Sequence, residues 1–232
     1  MIKILIIRND KLGDFMLAWP ALSLLKTQYP DASITVLIPS YTKPIAEICP
    51  WIDDIIIDDD HKNTLSDART LAKKLKTHDF HLSISLYSET RTAMALWLAK
   101  IPQRFGPATK LAQLFLNKTL KQKRSRSLKP EHEYNVDLIR HYMASRGDES
   151  LITQEAPFLQ FDAEETKNAR LAYLKKNRLE TDRKLIFIHV GSGGSAINLS
   201  LSQYAELATL IHQTNKAHFV LTAGPGELNT AK

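Results

Sequence analysis

Short apolar runs alternate with amphipathic segments along most of the chain, and this alternation most restricts the possible fold. Four apolar runs predict strands, at residues 2–7, 33–38, 54–57 and 82–86. Each is followed by a segment with helical periodicity, running to residue 29 after the first strand and then at residues 41–48, 65–77 and 89–99. Such alternation produces parallel strands covered by helices on both faces. Near-continuous apolar strands are typical of sheets buried on both sides. The sequence therefore predicts an α/β fold.

A second strand–helix–strand pattern closes the chain. Its parts are a strand at 184–190, a glycine-rich loop at 191–195, a helix at 202–212 and a strand at 217–222. Two strands and one helix cannot bury their own apolar faces. We therefore predict three regions. They are a Rossmann-like domain at residues 1–150, a connector with a surface helix at 151–182, and an incomplete second domain at 183–232.

Positive charge is concentrated in one stretch. The net charge is +6 and the isoelectric point is about 9.3, which favours anionic partners. Residues 103–130 contain no Asp or Glu, but eight basic residues: Arg104, Lys110, Lys118, Lys121, Lys123, Arg124, Arg126 and Lys129. Interleaved leucines suit an anionic membrane surface, and a solubilising loop fits equally well. Nucleic acid fits poorly, because no aromatic-basic recognition module is present.

The number of cysteines and the hydropathy of the chain indicate the cellular compartment of the protein. Cys49 is the single cysteine, which excludes an intrachain disulfide and fits a reducing cytoplasm. No apolar run approaches the roughly 18 residues of a membrane span, and the N-terminus lacks the features of a signal peptide. We expect a cytoplasmic protein.

The loop after the first strand carries the main candidate for chemistry. It reads Arg8-Asn9-Asp10-Lys11-Leu12-Gly13-Asp14 and precedes a helix. Ligands of open α/β sheets bind at this carboxyl edge, where a glycine lets backbone approach a ligand. Asp14 could accept a proton from a hydroxyl group or merely cap the helix. Pro20 should kink that helix or mark its regular start.

Two other motifs permit more than one interpretation. The loop GSGGSA at residues 191–196 fits a dinucleotide fingerprint, but no acid ends the next strand, which argues against NAD. A sugar-nucleotide or phosphate loop and a plain turn both remain open. The run Asp58-Asp59-Asp60-His61 resembles a metal-binding Asp-x-Asp motif, but we interpret it as a solvated acidic loop.

Helical periodicity also places several large side chains. Met94 and Trp97 fit a buried helix face. Trp19 and Trp51 lie near turns and fit either the core or a cleft. His189 lies on an apolar strand, where a packed histidine is expected.

The opening run, IKILIIRNDKLGDFMLAWPALSLLKTQYPDASITVLI, resembles the start of glycosyltransferase family 9, the lipopolysaccharide heptosyltransferases. Residues that match the family in register are Gly13, Asp14, Pro20, Leu22, Tyr29, Pro30, Asp31 and Ala32. The resemblance continues in four shorter motifs: Arg91-Thr92, Arg104-Phe105-Gly106, the GSGGSA loop and YAELA at 204–208. It is thin over residues 107–160.

This resemblance implies a GT-B enzyme with two Rossmann-like domains. The front domain would bind Kdo-lipid A or inner-core lipopolysaccharide, and the rear domain would bind ADP-heptose. The family's loop aspartate, the general base of an inverting transfer without metal or other cofactor, maps to Asp14. Implied acceptor-binding residues are Lys11, Gly13, Arg91 and Arg104. Implied donor-binding residues are Ser192, Gly193, Gly194 and Ser195. The protein would act as a peripheral protein at the cytoplasmic face of the inner membrane.

Three departures from the family pattern favour an alternative. Ile197 stands where the family has a lysine, and Ser85-Leu86-Tyr87 stands where it has Asp-Leu-Gln. The chain also stops before the family's rear glycine-rich segment, which contains a histidine. The alternative is a catalytically inactive, truncated remnant that binds an anionic glycolipid or a partner chain.

Overall fold

The chain divides into two compact units, Met1–Gln160 and Phe161–Lys232. The computed structural model describes residues 1–59, 64–109, 111–148, 156–191 and 198–224. Strands β1 to β6 and helices α1 to α6 belong to the first unit. Strands β7 and β8 and helices α7 and α8 belong to the second.

A parallel sheet of six strands, counted within the described residues, forms the first unit. Its strands are β1 (Lys3–Ile7), β2 (Ser33–Ile38), β3 (Asp54–Ile57), β4 (Leu82–Ser85), β5 (Gln103–Pro107) and β6 (Lys118–Leu120). They are ordered β3-β2-β1-β4-β5-β6, and every neighbouring pair is parallel. The predicted α/β fold with a parallel sheet is confirmed. The strand order reverses between β1 and β4, which fixes where a ligand crevice can form.

In the described part of this unit, the helices beside the sheet are α1 (Leu12–Met16), α2 (Trp19–Gln28), α3 (Lys43–Glu47), α4 (Leu65–Lys76), α5 (Thr90–Leu98) and α6 (Glu131–Ser145). Short 3₁₀ helices lie at Ser40–Thr42, Leu111–Phe115 and Arg124–Arg126. The helix predicted up to residue 29 is two helices, α1 and α2. Pro20 lies in the first turn of α2, where its fixed φ is favourable. Pro20 therefore marks a regular helix start.

The sheet is buried on both faces. Ile4 and Ile6 of β1 pack in one apolar cluster with residues of α2 and α6. Leu5 and Ile7, which point to the opposite face, pack in a second cluster with residues of α4 and α5. Because alternate side chains of a strand point to opposite faces, a continuous apolar run is what such a strand needs.

The basic stretch contains two strands that the sequence analysis did not predict. β5 and β6 extend the sheet beyond β4, so part of residues 107–130 is regular structure. Gly106 of β5 permits this packing, because an added Cβ would lie 2.7 Å from Leu116 Cδ1 and 3.2 Å from Ser85 Cβ. The 3₁₀ helix Leu111–Phe115 can therefore pack closely over the outer strands.

The prediction that Trp97 lies on a buried helix face is wrong. Trp97 is 51% exposed, although the residues before it in α5 pack in the core. Its ring lies 6.0 Å, centroid to centroid, from the ring of Phe115 in the 3₁₀ helix. Phe115 therefore contacts the indole, while about half of Trp97 remains exposed to solvent. Trp19 is a core residue.

The second unit has a two-stranded parallel sheet, β7 (Lys184–His189) and β8 (Ala217–Thr222), with α7 (Ala163–Lys176) and α8 (Leu201–Thr214). Ser200 and Gln203 form a capping box at the start of α8. His189 is exposed and contacts Thr222, so the expectation of a packed histidine is wrong. Within the described residues, the buried apolar side chains of this unit are Leu174, Ile188, Val190 and Ala217. Its core is small.

Candidate functional site at the carboxyl edge of the sheet

The loop between β1 and α1 leaves the sheet where the strand order reverses. In open parallel sheets a crevice forms at such a point, outside the carboxyl ends of the strands, and ligands bind there. The backbone amides of Leu86 and Tyr87, which follow β4, donate to the carbonyl oxygen of Ile7 at 3.0 and 3.3 Å. These hydrogen bonds hold the loops after β1 and β4 side by side.

Arg8 is the buried centre of this edge, with 2% of its surface exposed. Its guanidinium lies within ion-pair distance of three carboxylates, those of Asp10 (3.0 Å), Asp14 (3.3 Å) and Glu131 (3.1 Å). It also donates to the carbonyl oxygen of Leu86 at 3.2 Å. A buried charge is tolerated only with such partners. Arg8 therefore ties the β1 loop to β4 and to α6.

A second arginine shares two of these partners. Nη1 of Arg124 lies 2.6 Å from Oε1 of Glu131 and 2.9 Å from the carbonyl oxygen of Leu86. We call five side chains the switch-point cluster: Arg8, Asp10, Asp14, Arg124 and Glu131. The cluster has two cations and three carboxylates, so attraction for an anionic ligand must come from residues outside it.

Asp14 is the most exposed carboxylate of the switch-point cluster. Its side chain is 37% exposed, against 15% for Asp10 and 28% for Glu131. Lys11 is the N-cap residue of α1, and within the described residues no side chain caps that helix. The interpretation of Asp14 as a helix cap is therefore wrong. The carboxylate is oriented by Arg8 and remains open to a ligand.

Gly13 and Lys11 lie on the same exposed edge. Both are exposed, and a Cβ added to Gly13 would meet no described atom within 4 Å. The fold therefore does not require glycine at this position for packing. The space beside Asp14 is open, and Lys11 provides a cation at its border. The structure thus brings together three of the predicted site residues.

Arg91 is not exposed at this edge. Its side chain is 0% exposed and forms a bidentate ion pair with Asp58, at 3.0 and 2.6 Å. Asn9 donates to the same carboxylate at 3.0 Å. The interpretation of Asp58 as part of a solvated loop is therefore wrong, since Asp58 is 5% exposed. Arg91 holds the carboxylate of Asp58, and this carboxylate holds Asn9. These contacts support a role for Arg91 in fixing the loop after β1.

Arg104 is also used within the fold. Its Nε donates to the carbonyl oxygen of Phe115 at 2.7 Å, and its Nη1 donates to that of Ile101 at 2.5 Å. Burial lowers the pKa of its guanidinium. These contacts attach the 3₁₀ helix Leu111–Phe115 to β5. Arg91 and Arg104 thus do not join Asp14 at the crevice.

Two tyrosines beside the cluster were not singled out by the sequence analysis. Tyr41 is 59% exposed and its hydroxyl donates to the carbonyl oxygen of Asp10 at 2.6 Å. Tyr87 is 40% exposed. The pKa of each phenol is raised by burial and by nearby carboxylates, among them Asp10 and Asp14. Both phenols therefore lie within electrostatic range of Asp10 and Asp14.

The predicted donor loop, Ser192, Gly193, Gly194 and Ser195, lies outside the described residues, as do Ile197, Asp60 and His61. The neighbouring Asp59 accepts a hydrogen bond from the backbone amide of Ser40 at 2.8 Å. The donor-binding assignments stay predictions.

Asp10 has an unusual protonation equilibrium. Burial raises its pKa from the ordinary value of 3.8 to about 6, and the carboxylates of Asp14 and Glu131 act in the same direction, whereas Arg8 lowers it. Because the folded protein holds this proton more tightly than the unfolded chain, the contribution to stability is complete below about pH 4. It is lost as the pH rises through about 6.

Replacing Asp10 by asparagine should therefore remove a specific pH dependence. We expect the unfolding free energy of the wild type, relative to Asp10→Asn, to fall by about 2–3 kcal/mol between pH 4 and pH 7. Urea unfolding at several pH values measures this difference. The exposed residue Asp31 supplies the control, since Asp31→Asn should follow the wild type. A constant difference between wild type and Asp10→Asn across this range would contradict the raised pKa.

Comparison with known proteins shows what the chain as a whole is similar to. A Haemophilus influenzae protein described as "Putative glycosyltransferase" is 45% identical over 231 residues, covering 100% of this chain and 66% of the relative. The chain is a homologue of this protein along its whole length. It spans slightly less than two thirds of that relative's length. No profile of a known protein family matches the chain.

Solved glycosyltransferase structures share its fold. Escherichia coli ADP-heptose lps heptosyltransferase II matches 97% of the chain with a TM-score of 0.76 and 21% identity, over 66% of its own length. The family 9 glycosyl transferase from Veillonella parvula matches 99% with a TM-score of 0.78 and 19% identity, over 64% of its length. E. coli heptosyltransferase WaaC with ADP matches 98% with a TM-score of 0.70 and 14% identity, over 69% of its length.

These likenesses confirm the predicted GT-B type fold and the resemblance to glycosyltransferase family 9. Among the described helices of this chain, none has the length and apolar character needed to cross a membrane.

Proposed function

We propose that this chain carries the acceptor side of an inverting heptosyltransferase. The enzyme would move heptose from ADP-heptose to Kdo-lipid A or inner-core lipopolysaccharide. The observation that carries the proposal is the partly exposed carboxylate of Asp14. It is oriented by the buried Arg8 and lies where the strand order reverses. Relatives of this fold supply the substrate class, since WaaC has been solved with ADP and with ADP-2-deoxy-2-fluoro heptose.

In the proposed reaction Asp14 is the general base. It accepts the proton of an acceptor hydroxyl as that oxygen attacks the anomeric carbon of the donor. The bond from this carbon to the diphosphate oxygen breaks, its electron pair stays on ADP, and the configuration inverts. Arg8 pairs with Oδ1 of Asp14, which leaves Oδ2 to receive the proton. Asp10 and Glu131 hold Arg8 from its other sides.

The acceptor would enter over the space that Gly13 leaves open. Kdo and phosphate groups are anionic, and Lys11 is the exposed cation of the site loop. The partly exposed rings of Tyr41 and Tyr87 could offer apolar faces to a sugar ring. In this proposal Arg91 and Arg104 position loops and do not touch the acceptor.

Donor binding is assigned to Ser192, Gly193, Gly194 and Ser195 on the family resemblance alone. In the sequence these residues come after β7, and open α/β sheets commonly bind phosphates with the loop that follows a strand. An enzyme that uses a nucleotide-sugar donor and a membrane glycolipid acceptor would act at the cytoplasmic face of the inner membrane.

Incubation of the purified protein with ADP-heptose and a Kdo-lipid A acceptor tests this function. We expect the acceptor to gain the mass of one heptose and ADP to appear in equal amount, both followed by mass spectrometry. ADP-glucose in place of ADP-heptose is the donor control, and it should give little product. Acceptor binding without transfer would instead support the inactive remnant, and absence of both would contradict the proposal.

A further inference from the structure

A cavity lies on the α6 side of the first sheet, between α6 and the residues that follow β6. Its volume is about 650 Å³, which is the size of pockets that hold small molecules. Its lining comes from the chain after β6, including Leu120 and Leu128, and from α6, including His141 and Ala144. We call it the α6 cavity. No member of the switch-point cluster lines it, so it is separate from the crevice at Asp14.

The chain that forms one wall of the α6 cavity is held in place by hydrogen bonds. Gln122 is buried and donates to the carbonyl oxygen of Tyr134 in α6 at 2.7 Å. Its Oε1 accepts a hydrogen bond from Nε of Arg124 at 3.0 Å. The backbone amide of Ala108 donates to the carbonyl oxygen of Leu120 at 2.8 Å. Because these bonds tie this segment both to α6 and to the sheet, the cavity is built into the fold.

Cations without a carboxylate partner line the α6 cavity. They are Lys121 and Lys123 after β6 and Arg140 of α6, and all three are exposed. Within the described part of the chain, none of the three forms an ion pair. The carboxylate in the lining is Asp137, which is already paired with Lys129. The lining therefore has four cations against one carboxylate.

His141 adds a hydrogen-bonding group to this lining. Burial and the charge of the nearby Lys118 both lower the pKa of its imidazole. Because a lowered pKa keeps the ring neutral at pH 7, the ring can accept or donate a hydrogen bond. The positive charge at the cavity comes from the lysines and from Arg140.

We infer that the α6 cavity binds a small molecule that carries a phosphate group. A phosphate monoester has roughly two negative charges near pH 7, and its oxygens accept charge-assisted hydrogen bonds from lysine and arginine. Leu120 and Leu128 leave part of the lining apolar, which suits the carbon skeleton that bears the phosphate. The unpaired cations line a cavity of small-molecule size, whereas a nucleic acid or a bilayer needs an extended surface.

This inference goes beyond the proposed transfer reaction, because its site does not contain Asp14. The probe is glucose 6-phosphate, titrated into the whole protein and followed by NMR, with glucose as the uncharged control. We expect glucose 6-phosphate alone to move the amide signals of residues 120–123 and 140–144 and the imidazole signals of His141. Changes confined to other residues, or equal changes with glucose, would overturn the inference.

Free sugar phosphates and phosphate groups on a glycan share this chemistry, and a second titration distinguishes them. Its probe is a lipid-free glucosamine disaccharide that carries a phosphate group. Tighter binding of the disaccharide at the same residues would assign the phosphate to a glycan. Tighter binding of glucose 6-phosphate would assign it to a free sugar phosphate.

Charge-matched variants locate the site. Lys121→Gln combined with Lys123→Gln should weaken the binding of glucose 6-phosphate at least about tenfold, because two unpaired cations are lost. Lys73→Gln combined with Lys76→Gln removes the same charge from exposed positions of α4, which packs on the opposite face of the sheet. This control should bind as the wild type does. Equal affinity of the two double variants would overturn the inference.

Asp137→Asn gives a readout in the opposite direction. It removes the carboxylate from the lining of the α6 cavity and releases Lys129 from its ion pair. Glucose 6-phosphate should therefore bind at least about threefold more tightly. A merely structural role of Asp137 predicts equal or weaker binding, and that result would overturn the inference.

Discussion

Asp14→Asn should lower the rate of heptose transfer by about 10²–10⁴-fold, the range typical of a lost general base. The amide has nearly the shape of the carboxylate but cannot accept the hydroxyl proton. Because 37% of the Asp14 side chain is exposed, the substitution leaves no buried group unpaired beyond one contact of Arg8. The loss should therefore lie in kcat, with the protein still folded.

Initial rates at saturating acceptor measure this effect. Asp31→Asn is the matched control, since it removes an exposed carboxylate that lies after Pro30, outside the switch-point cluster. It should retain the wild-type rate within about twofold. Transfer by Asp14→Asn at the rate of this control would remove Asp14 from the mechanism.

Arg91→Met should lower the unfolding free energy of the first unit by about 3–5 kcal/mol. The substitution leaves the carboxylate of Asp58, 5% exposed, without its cation in the interior. Asn9 remains as a hydrogen-bond donor at 3.0 Å but cannot neutralise the charge. Removing one partner of a buried ion pair costs far more than the pair itself contributes.

Tryptophan fluorescence in urea measures this loss, because Trp19, Trp51 and Trp97 are all in the first unit. Arg69→Met, at an exposed position of α4, is the control and should change stability by less than about 0.5 kcal/mol. Combining Arg91→Met with Asp58→Asn should recover part of the loss. A loss as small as that of Arg69→Met would show that the pair is not structurally important.

Much of the first sheet follows from local sequence pattern. Strands β1 to β4 were predicted correctly because each is a continuous apolar run bounded by segments with helical periodicity. β5 and β6 were missed for a physical reason. Edge regions of a sheet tolerate charge, glycine and proline, and QRFGP and KTL contain these residues instead of an apolar run. A local pattern cannot distinguish such segments from a basic loop.

The position of the site was predictable, but its charge network was not. Parallel alternation places the loop after β1 at the carboxyl edge of the sheet, which made Asp14 and Gly13 candidates. Arg8 meets Glu131 across 123 positions of sequence, and Arg91 meets Asp58 across 33. Such partners are fixed by how the elements pack. The family resemblance implied a ligand-binding role for Arg91, but such partners, which leave its guanidinium buried, cannot be read from the sequence.

The most direct test of the central claim is an NMR titration with a soluble, lipid-free oligosaccharide that contains Kdo, which separates acceptor binding from lipid binding. We predict that the largest shift changes occur at the backbone amides of residues 9–14 and 87–89. Asp14→Asn should retain these changes, because it removes proton transfer and leaves the crevice in place. Shift changes confined to other parts of the sheet, with none at residues 9–14, would contradict the account.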